Sequence, residues 1–214
     1  MPDPNDPPAP SPAISPPATH NIAAKAATPL PAPQSRLRRR MLLGLAAAAG
    51  LSGAALSWWR SREQERLRQQ EDEAVKLFFQ QTLSDSNGKV FAFEQLRGRQ
   101  VVANFWATWC APCVEEMPEL SALATEVADS GTRFVGVGVD NPEAIAKFSS
   151  KLPVSYPLVV ANATGAFLAA RFGNGAGGLP YTVVIGADGR VKEQILGRVR
   201  IESLREVIKS SDLR

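Results

Sequence analysis

Val101-Val102-Ala103-Asn104-Phe105-Trp106-Ala107-Thr108-Trp109-Cys110-Ala111-Pro112-Cys113 is the stretch on which the reading of this chain turns. Residues 101–106 are apolar on both alternating faces apart from Asn104, the pattern of a central strand covered on both sides. Val114 to Asp129 then places Met117, Leu120, Leu123, Ala124 and Val127 at spacings of three and four, one apolar helical face. Phe134 to Val139 is a second apolar strand, so strand, helix and strand follow one another as a βαβ unit. The only two cysteines of the chain sit at the first strand-to-helix junction.

Position gives the two thiols different characters. Unpaired backbone N–H groups and the helix dipole favour a thiolate at the start of a helix. Cys110 is therefore expected to be the exposed, partly ionised nucleophile, and Cys113, one turn inside, the buried resolving thiol. Pro112 suits an early helical position, where no intrahelical N–H bond is lost. Other uses of the pair fit less well. A disulfide closing so short a loop is a poor staple. A zinc site needs further ligands, and no third cysteine exists. Covalent haem attachment needs a histidine where Val114 stands. Two unrelated buried thiols remain as the plain alternative to dithiol redox chemistry.

Outward from this unit, Asn141-Pro142-Glu143 starts another helix, running to about Lys151, with Asn141 as cap. Tyr156 to Val160 reads as a short strand and Ala163 to Phe172 as a helix. Tyr181–Ile185 and Val191–Leu196 flank a Gly186-Ala187-Asp188-Gly189 turn as an antiparallel hairpin, and Ile201, Leu204, Val207 and Ile208 give a last helix its apolar face. The expected architecture is α/β, a mixed sheet between helices.

The chain has 214 residues and a net charge of +3, unevenly distributed. Residues 1–35 carry −1, residues 36–70 carry +6 from eight arginines and two glutamates, and residues 71–214 carry −2. The globular part is thus slightly acidic, which argues against a nucleic-acid partner. Residues 1–35, rich in Pro and Ala, cannot bury enough apolar surface to offset ordering entropy and read as a disordered tail. The only histidine, His20, lies in that tail. The globular part therefore has no Ser-His-Asp or Cys-His hydrolase site and no histidine for zinc. No cofactor and no metal are called for.

Residues 36–59 join a basic cluster to the uncharged run Met41–Trp59, which at ~1.5 Å per residue just covers a hydrocarbon core of roughly 30 Å. Arg36, Arg38, Arg39 and Arg40 precede the run, and Trp58 and Trp59 close it, as expected at a membrane boundary. The reading is a single transmembrane helix in the inner membrane, N-terminus in the cytoplasm, with the bilayer as partner of residues 41–59. Arg38-Arg39-Arg40-Met41-Leu42 also resembles a twin-arginine export signal. Cleavage near Ala55-Leu56-Ser57 would instead release a soluble periplasmic protein. Residues 60–74 are polar on every face and read as a solvated helical stalk ahead of a domain spanning 75–214.

Asn104 through Cys113 resembles the active-site strand and turn of the thioredoxin superfamily. The longer run through Glu115-Glu116-Met117-Pro118-Glu119-Leu120 is similar to the TlpA/ResA-type thiol–disulfide oxidoreductases, over about residues 75 to 210. The resemblance implies a thioredoxin fold with an added β-hairpin before it, at Leu77–Phe93, and a central insertion, at Glu143–Val160. It implies an extracytoplasmic oxidoreductase exchanging a Cys110–Cys113 disulfide with cysteines of substrate proteins. A reductant is favoured, re-reduced by a membrane electron donor, with apocytochrome c as one client. An oxidant, a Cu(I)-binding dithiol module and a thiol peroxidase are the alternatives.

Residue by residue, Gly178-Leu179-Pro180 matches the segment holding the cis-proline opposite the dithiol, with the Leu179 backbone pairing to bound substrate; alone, Pro180 reads equally as a strand-initiating proline. Glu116 matches a family acidic residue able to move the proton of Cys113, or else is a solvated acid at a helix start. Trp109 is either a rim aromatic or an apolar wall for the substrate cysteine. Asn104 departs from thioredoxin itself, which has a buried Asp there; Asn cannot titrate, which leaves Glu116 as the nearby proton carrier. Pro118 is expected to kink the helix.

Overall fold

The structure is a computed structural model that describes residues 35–211; side chains are described for residues 40–43 and 55–210. The expected disordered tail and His20 lie outside the described residues. The chain divides into two units, Met1–Ser52 and Gly53–Arg214, and the fold of the second positions the site.

Seven strands form one sheet in the order β2-β1-β5-β4-β3-β6-β7. These are β1 (Thr82–Asp85), β2 (Val90–Ala92), β3 (Val101–Trp106), β4 (Arg133–Gly138), β5 (Leu158–Val160), β6 (Tyr181–Ile185) and β7 (Val191–Leu196). The helices are α1 (Ser35–Phe79), α2 (Ala111–Glu126), α3 (Pro142–Ser149), α4 (Asn162–Arg171) and α5 (Ile201–Ser211). β3, β4 and β5 are parallel, while β6 and β1 run antiparallel to them on either side. The sheet is mixed, as expected. The β1–β2 hairpin widens it through β1, which pairs with β5 of the insertion.

Alternation along the central strand divides the core. Val101, Ala103 and Phe105 face one cluster with Phe78, Phe93, Leu168 and Phe172. Val102 and Trp106 face the other, with Cys110, Cys113, Met117, Leu120 and Leu123 of the dithiol helix and Leu204 and Ile208 of α5. Asn104, by the same period of two, looks towards α2. Gly138 admits the insertion: a Cβ there would stand 2.4 Å from Ile145 Cδ1.

The N-terminal boundary differs from expectation. The helical stalk expected to end at residue 74 continues in α1 to Phe79, and the hairpin expected from Leu77 begins only at Thr82. Ala74, Val75, Phe78 and Phe79 are buried in the first cluster, with Phe78 edge-on to Phe93 at 4.7 Å between centroids. A polar run turns into an amphipathic one at residue 74, and the helix continues because its last turns have a core to enter. Among the described residues no helix is long and apolar enough to cross a membrane. The middle of the predicted span, residues 44–54, falls outside the described side chains.

Smaller differences sit at element ends. α2 begins at Ala111, with Cys110 as its N-cap residue in extended conformation, and closes at Glu126 into a short 3₁₀ turn, Ala128–Ser130. β5 starts at Leu158 because Pro157 has no N–H for the ladder. Asn141 caps α3 as expected, its side chain accepting from the Ala144 N–H.

Candidate active site

β3 delivers the chain to the dithiol, and the loop 107–110 turns it into α2. Cys110 N–H donates to the Ala107 carbonyl at 3.2 Å, and Cys110 O accepts from the N–H groups of Cys113 and Val114 at 3.1 and 3.2 Å. Cys110 and Cys113 are joined as a disulfide. Cys113 is fully buried, as expected. Cys110 is not the exposed residue that its helix-start position suggested, since only 5% of its surface is open. In the oxidised state its sulfur is bonded to Cys113, and the pair packs within the second core cluster. Trp109 stands out instead, 70% exposed beside the pair, which suits a wall for an approaching chain and rules out a core role. Trp106 is the core aromatic, against Phe148.

The bond between Leu179 and Pro180 is cis, and Pro180 is buried. Asn174 shapes the approach to it, donating through Nδ2 to Gly178 O at 2.7 Å and accepting from Gly178 N–H at 3.1 Å. Behind it the Pro180 carbonyl accepts from Gly197 N–H at 2.8 Å, tying the proline to the end of β7. Leu179 is half-buried and touches both core clusters.

Glu116 is fully buried, so the solvated-acid reading is overturned. It lies one turn after Cys113 on the same helical face. Its Oε1 accepts from Asn104 Nδ2 at 2.8 Å and its Oε2 from the Val199 N–H at 2.9 Å. Asn104 Nδ2 also donates to Thr182 Oγ1 at 3.0 Å, while its buried Oδ1 has no partner. Burial pushes the Glu116 carboxyl above the usual carboxylate range; the Val199 N–H, Asn104 and the Arg198 charge oppose this, and Glu119 adds to it. A carboxyl that holds its proton more tightly than usual, one helical turn from a thiol that must lose one, is suited to proton exchange with it. Arg198 itself spans to Glu115 at 3.1 Å and Glu119 at 3.8 Å over the surface above. Tyr156 also feels this charge: burial first, then Glu116, raises its phenol, whose buried hydroxyl has no partner.

The fold thus gathers Trp109, Cys110, Cys113 and Glu116 along one turn and helix, and holds Leu179 and Pro180 in the cis-proline turn joined to β7. Sequence reasoning did not find Thr182, Asn174 or Val199 as partners, nor Asp140, which binds Thr108 through its backbone N–H at 3.1 Å and its hydroxyl. Only Asp140 carried a usable signal, as an acid directly after an apolar strand.

The Redoxin family model matches residues 70–208. The thiol-disulfide oxidoreductase ResA of Geobacillus thermodenitrificans (strain NG80-2) is 32% identical over 129 residues, covering 60% of this chain and 72% of that protein. ResA of Bacillus anthracis is 30% identical over 128 residues, with 59% and 72% covered. Among solved structures, a thioredoxin-family thiol:disulfide interchange protein from Chlorobium tepidum TLS superposes with a TM-score of 0.56 at 26% identity, covering 62% of this chain and 92% of that one. A secreted disulfide oxidoreductase of Mycobacterium tuberculosis does so with a TM-score of 0.52 at 26% identity, covering 65% and 98%.

Proposed function

Since the chain belongs to the Redoxin family and is a thiol–disulfide oxidoreductase of the ResA/TlpA type, we propose that it reduces disulfides of substrate proteins outside the cytoplasm through Cys110 and Cys113. The observation that carries this reading is the dithiol at the start of α2 with one buried carboxyl of raised proton affinity, Glu116, a turn behind the second sulfur. In the reduced protein, Cys110 thiolate attacks one sulfur of a substrate disulfide. A mixed disulfide forms and the first substrate thiolate leaves. Cys113, giving its proton to Glu116, then attacks the Cys110 sulfur and expels the second substrate thiolate. The substrate gains two electrons and the protein ends in the Cys110–Cys113 disulfide form described above. A membrane electron donor returns the pair to the dithiol.

Trp109, Leu179 and the cis Pro180 line the approach, where an extended substrate segment would pair with the Leu179 backbone. The compact cluster Arg36, Arg38, Arg39 and Arg40 directly before the apolar run Met41–Trp59 supports attachment to, or export across, the inner membrane, with the redox domain in the periplasm. Apocytochrome c before haem attachment is the client that the ResA-type resemblance supports.

Trapping tests the cycle. The reduced Cys113→Ser variant is expected to accumulate a mixed disulfide through Cys110, and Cys110→Ala to form none. Thiol exchange that persists in Cys110→Ala would refute the mechanism. Titration of the wild-type pair against glutathione decides direction: a pair oxidised by the glutathione pool acts as reductant, and one that stays oxidising excludes that role.

A further inference from the structure

The turn that presents Cys110 is tied down by an element outside the dithiol helix. β3 and β4 pair in register as far as Trp106 and Gly138, and the Val139 N–H still donates to Trp106 O at 2.7 Å. Beyond that the ladder ends and no longer holds residues 107–109. Asp140 takes over. Its Oδ2 accepts from the Thr108 N–H at 3.1 Å and from the Thr108 hydroxyl. Its Oδ1 accepts from the Asn141 N–H at 2.8 Å and from Asn141 Nδ2 at 3.3 Å. Asn141 Oδ1 in turn caps α3, accepting from the Ala144 N–H at 2.8 Å. Hydrogen bonds therefore run unbroken from the first turn of the inserted helix to the residue two before the nucleophile.

The carboxylate is built for this position. Burial alone would raise its proton affinity, but the Thr108 hydroxyl and the N–H groups of Asn141 and Thr108 more than offset that and keep it below the usual carboxylate range. These partners, from the turn and from the start of α3, are neutral donors, and among the described residues Asp140 forms no salt bridge. Charge-assisted bonds of this kind are roughly twice as strong as neutral ones.

We propose that Asp140 is a positioning residue for disulfide exchange: through Thr108 it fixes the turn that aims Cys110, and through Asn141 it couples that turn to the insertion. The inference rests on Cys110 as the attacking thiol. A slack turn would lose alignment of the sulfur with the N–H groups at the start of α2, on which its ionisation depends, and would spoil the attack geometry.

The test uses the reduced full chain, measuring alkylation of Cys110 by iodoacetamide from pH 5 to 9 and exchange with 5,5′-dithiobis(2-nitrobenzoate). Thr108→Val keeps the charge of Asp140 and removes the hydroxyl donor. It is expected to move the alkylation midpoint up by about half a pH unit, an approximately threefold change in ionisation, and to slow exchange at least as much. Thr108→Ser restores both. Asn141→Ala, which severs the link to α3, moves the midpoint in the same direction as Thr108→Val, and Asp140→Ala slows exchange further. Should Asp140→Ala not fold, the Thr108 pair decides. Valine and serine variants that both match wild type, or that are equally impaired, overturn the proposal. Loss of Cys110 trapping in wild type would instead strike the exchange reading, so the two failures are distinct.

Discussion

Replacing Asn104 by aspartate would set two carboxyl groups against each other in the core. Asn104 Nδ2 stands 2.8 Å from Glu116 Oε1, and the new Oδ2 would occupy its place. At that 2.8 Å separation and an effective dielectric of about 20, two negative charges repel by 332/(20 × 2.8), or ~6 kcal/mol. Divided by 1.36 kcal/mol per unit, this is about four pH units. The pair therefore keeps one proton at neutral pH, titrating as a unit. In the unfolded chain both groups ionise at about pH 4. Between there and the raised second ionisation, the folded variant binds one proton more than the unfolded one. Its stability must fall as pH rises through that window, by about 1.4 kcal/mol per pH unit. Wild-type Glu116, raised chiefly by burial, gives a change of the same sign that ends at its own lower folded value. Urea unfolding of both oxidised proteins at half-unit steps from pH 4 to 8 reads the difference. The variant should lie nearest to wild type at pH 4 and fall progressively behind. Two stability curves running parallel across that range would refute the placement of Asn104 against Glu116.

Other expectations concern single residues. Glu116→Gln keeps the shape but not the proton carrier; resolution of the mixed disulfide should slow by about 10²-fold, while the first attack by Cys110 stays within about twofold, as rapid-quench trapping of both steps would show. Trp109→Ala removes a ring that is exposed, not core. It should raise KM for a disulfide-bridged peptide while leaving stability within about 0.5 kcal/mol of wild type by urea unfolding. Phe78→Ala empties a fully buried position ringed by Phe79, Phe93 and Phe172. A loss of about 3–5 kcal/mol is expected in the same assay, with alkylation of reduced Cys110 unchanged.

What sequence could reveal here was whatever is encoded in local pattern. β3, α2, β4 and the β6–β7 hairpin follow from apolar alternation and turn residues, and Asn141 as cap from its place before Pro142. The dithiol and its place at a strand–helix junction follow from spacing and from the apolar strand before it. Contacts joined across the chain were hidden. Val199 binds Glu116 through a backbone N–H, 83 residues away, and a backbone donor has no residue type to recognise. Thr108 and Asp140 meet across 32 residues because β3 and β4 are parallel neighbours, a pairing known only once the sheet is assembled. The true end of α1 was missed for a related reason. Residues 60–74 read as a helical stalk, but nothing local signals that the helix persists beyond them until Phe78 reaches its pocket. The helix-start position of Cys110 predicts exposure, but burial depends on the core packed around it.

That last turn of α1 sets where the domain can be cut. Glu73 pairs with Arg171 of α4 at 2.8 Å, and Ala74, Val75, Phe78 and Phe79 follow it into the core. A protease working on the helix between residues 60 and 70 meets mostly exposed side chains and would leave a fragment with its core complete. A cut a few residues later removes part of that core. Limited digestion of the folded protein should therefore converge on fragments whose first residue lies before Glu73, and a fragment beginning at Gln80 should be degraded instead of accumulating. The site can be set free from whatever lies before it, but only by scission on the near side of that residue.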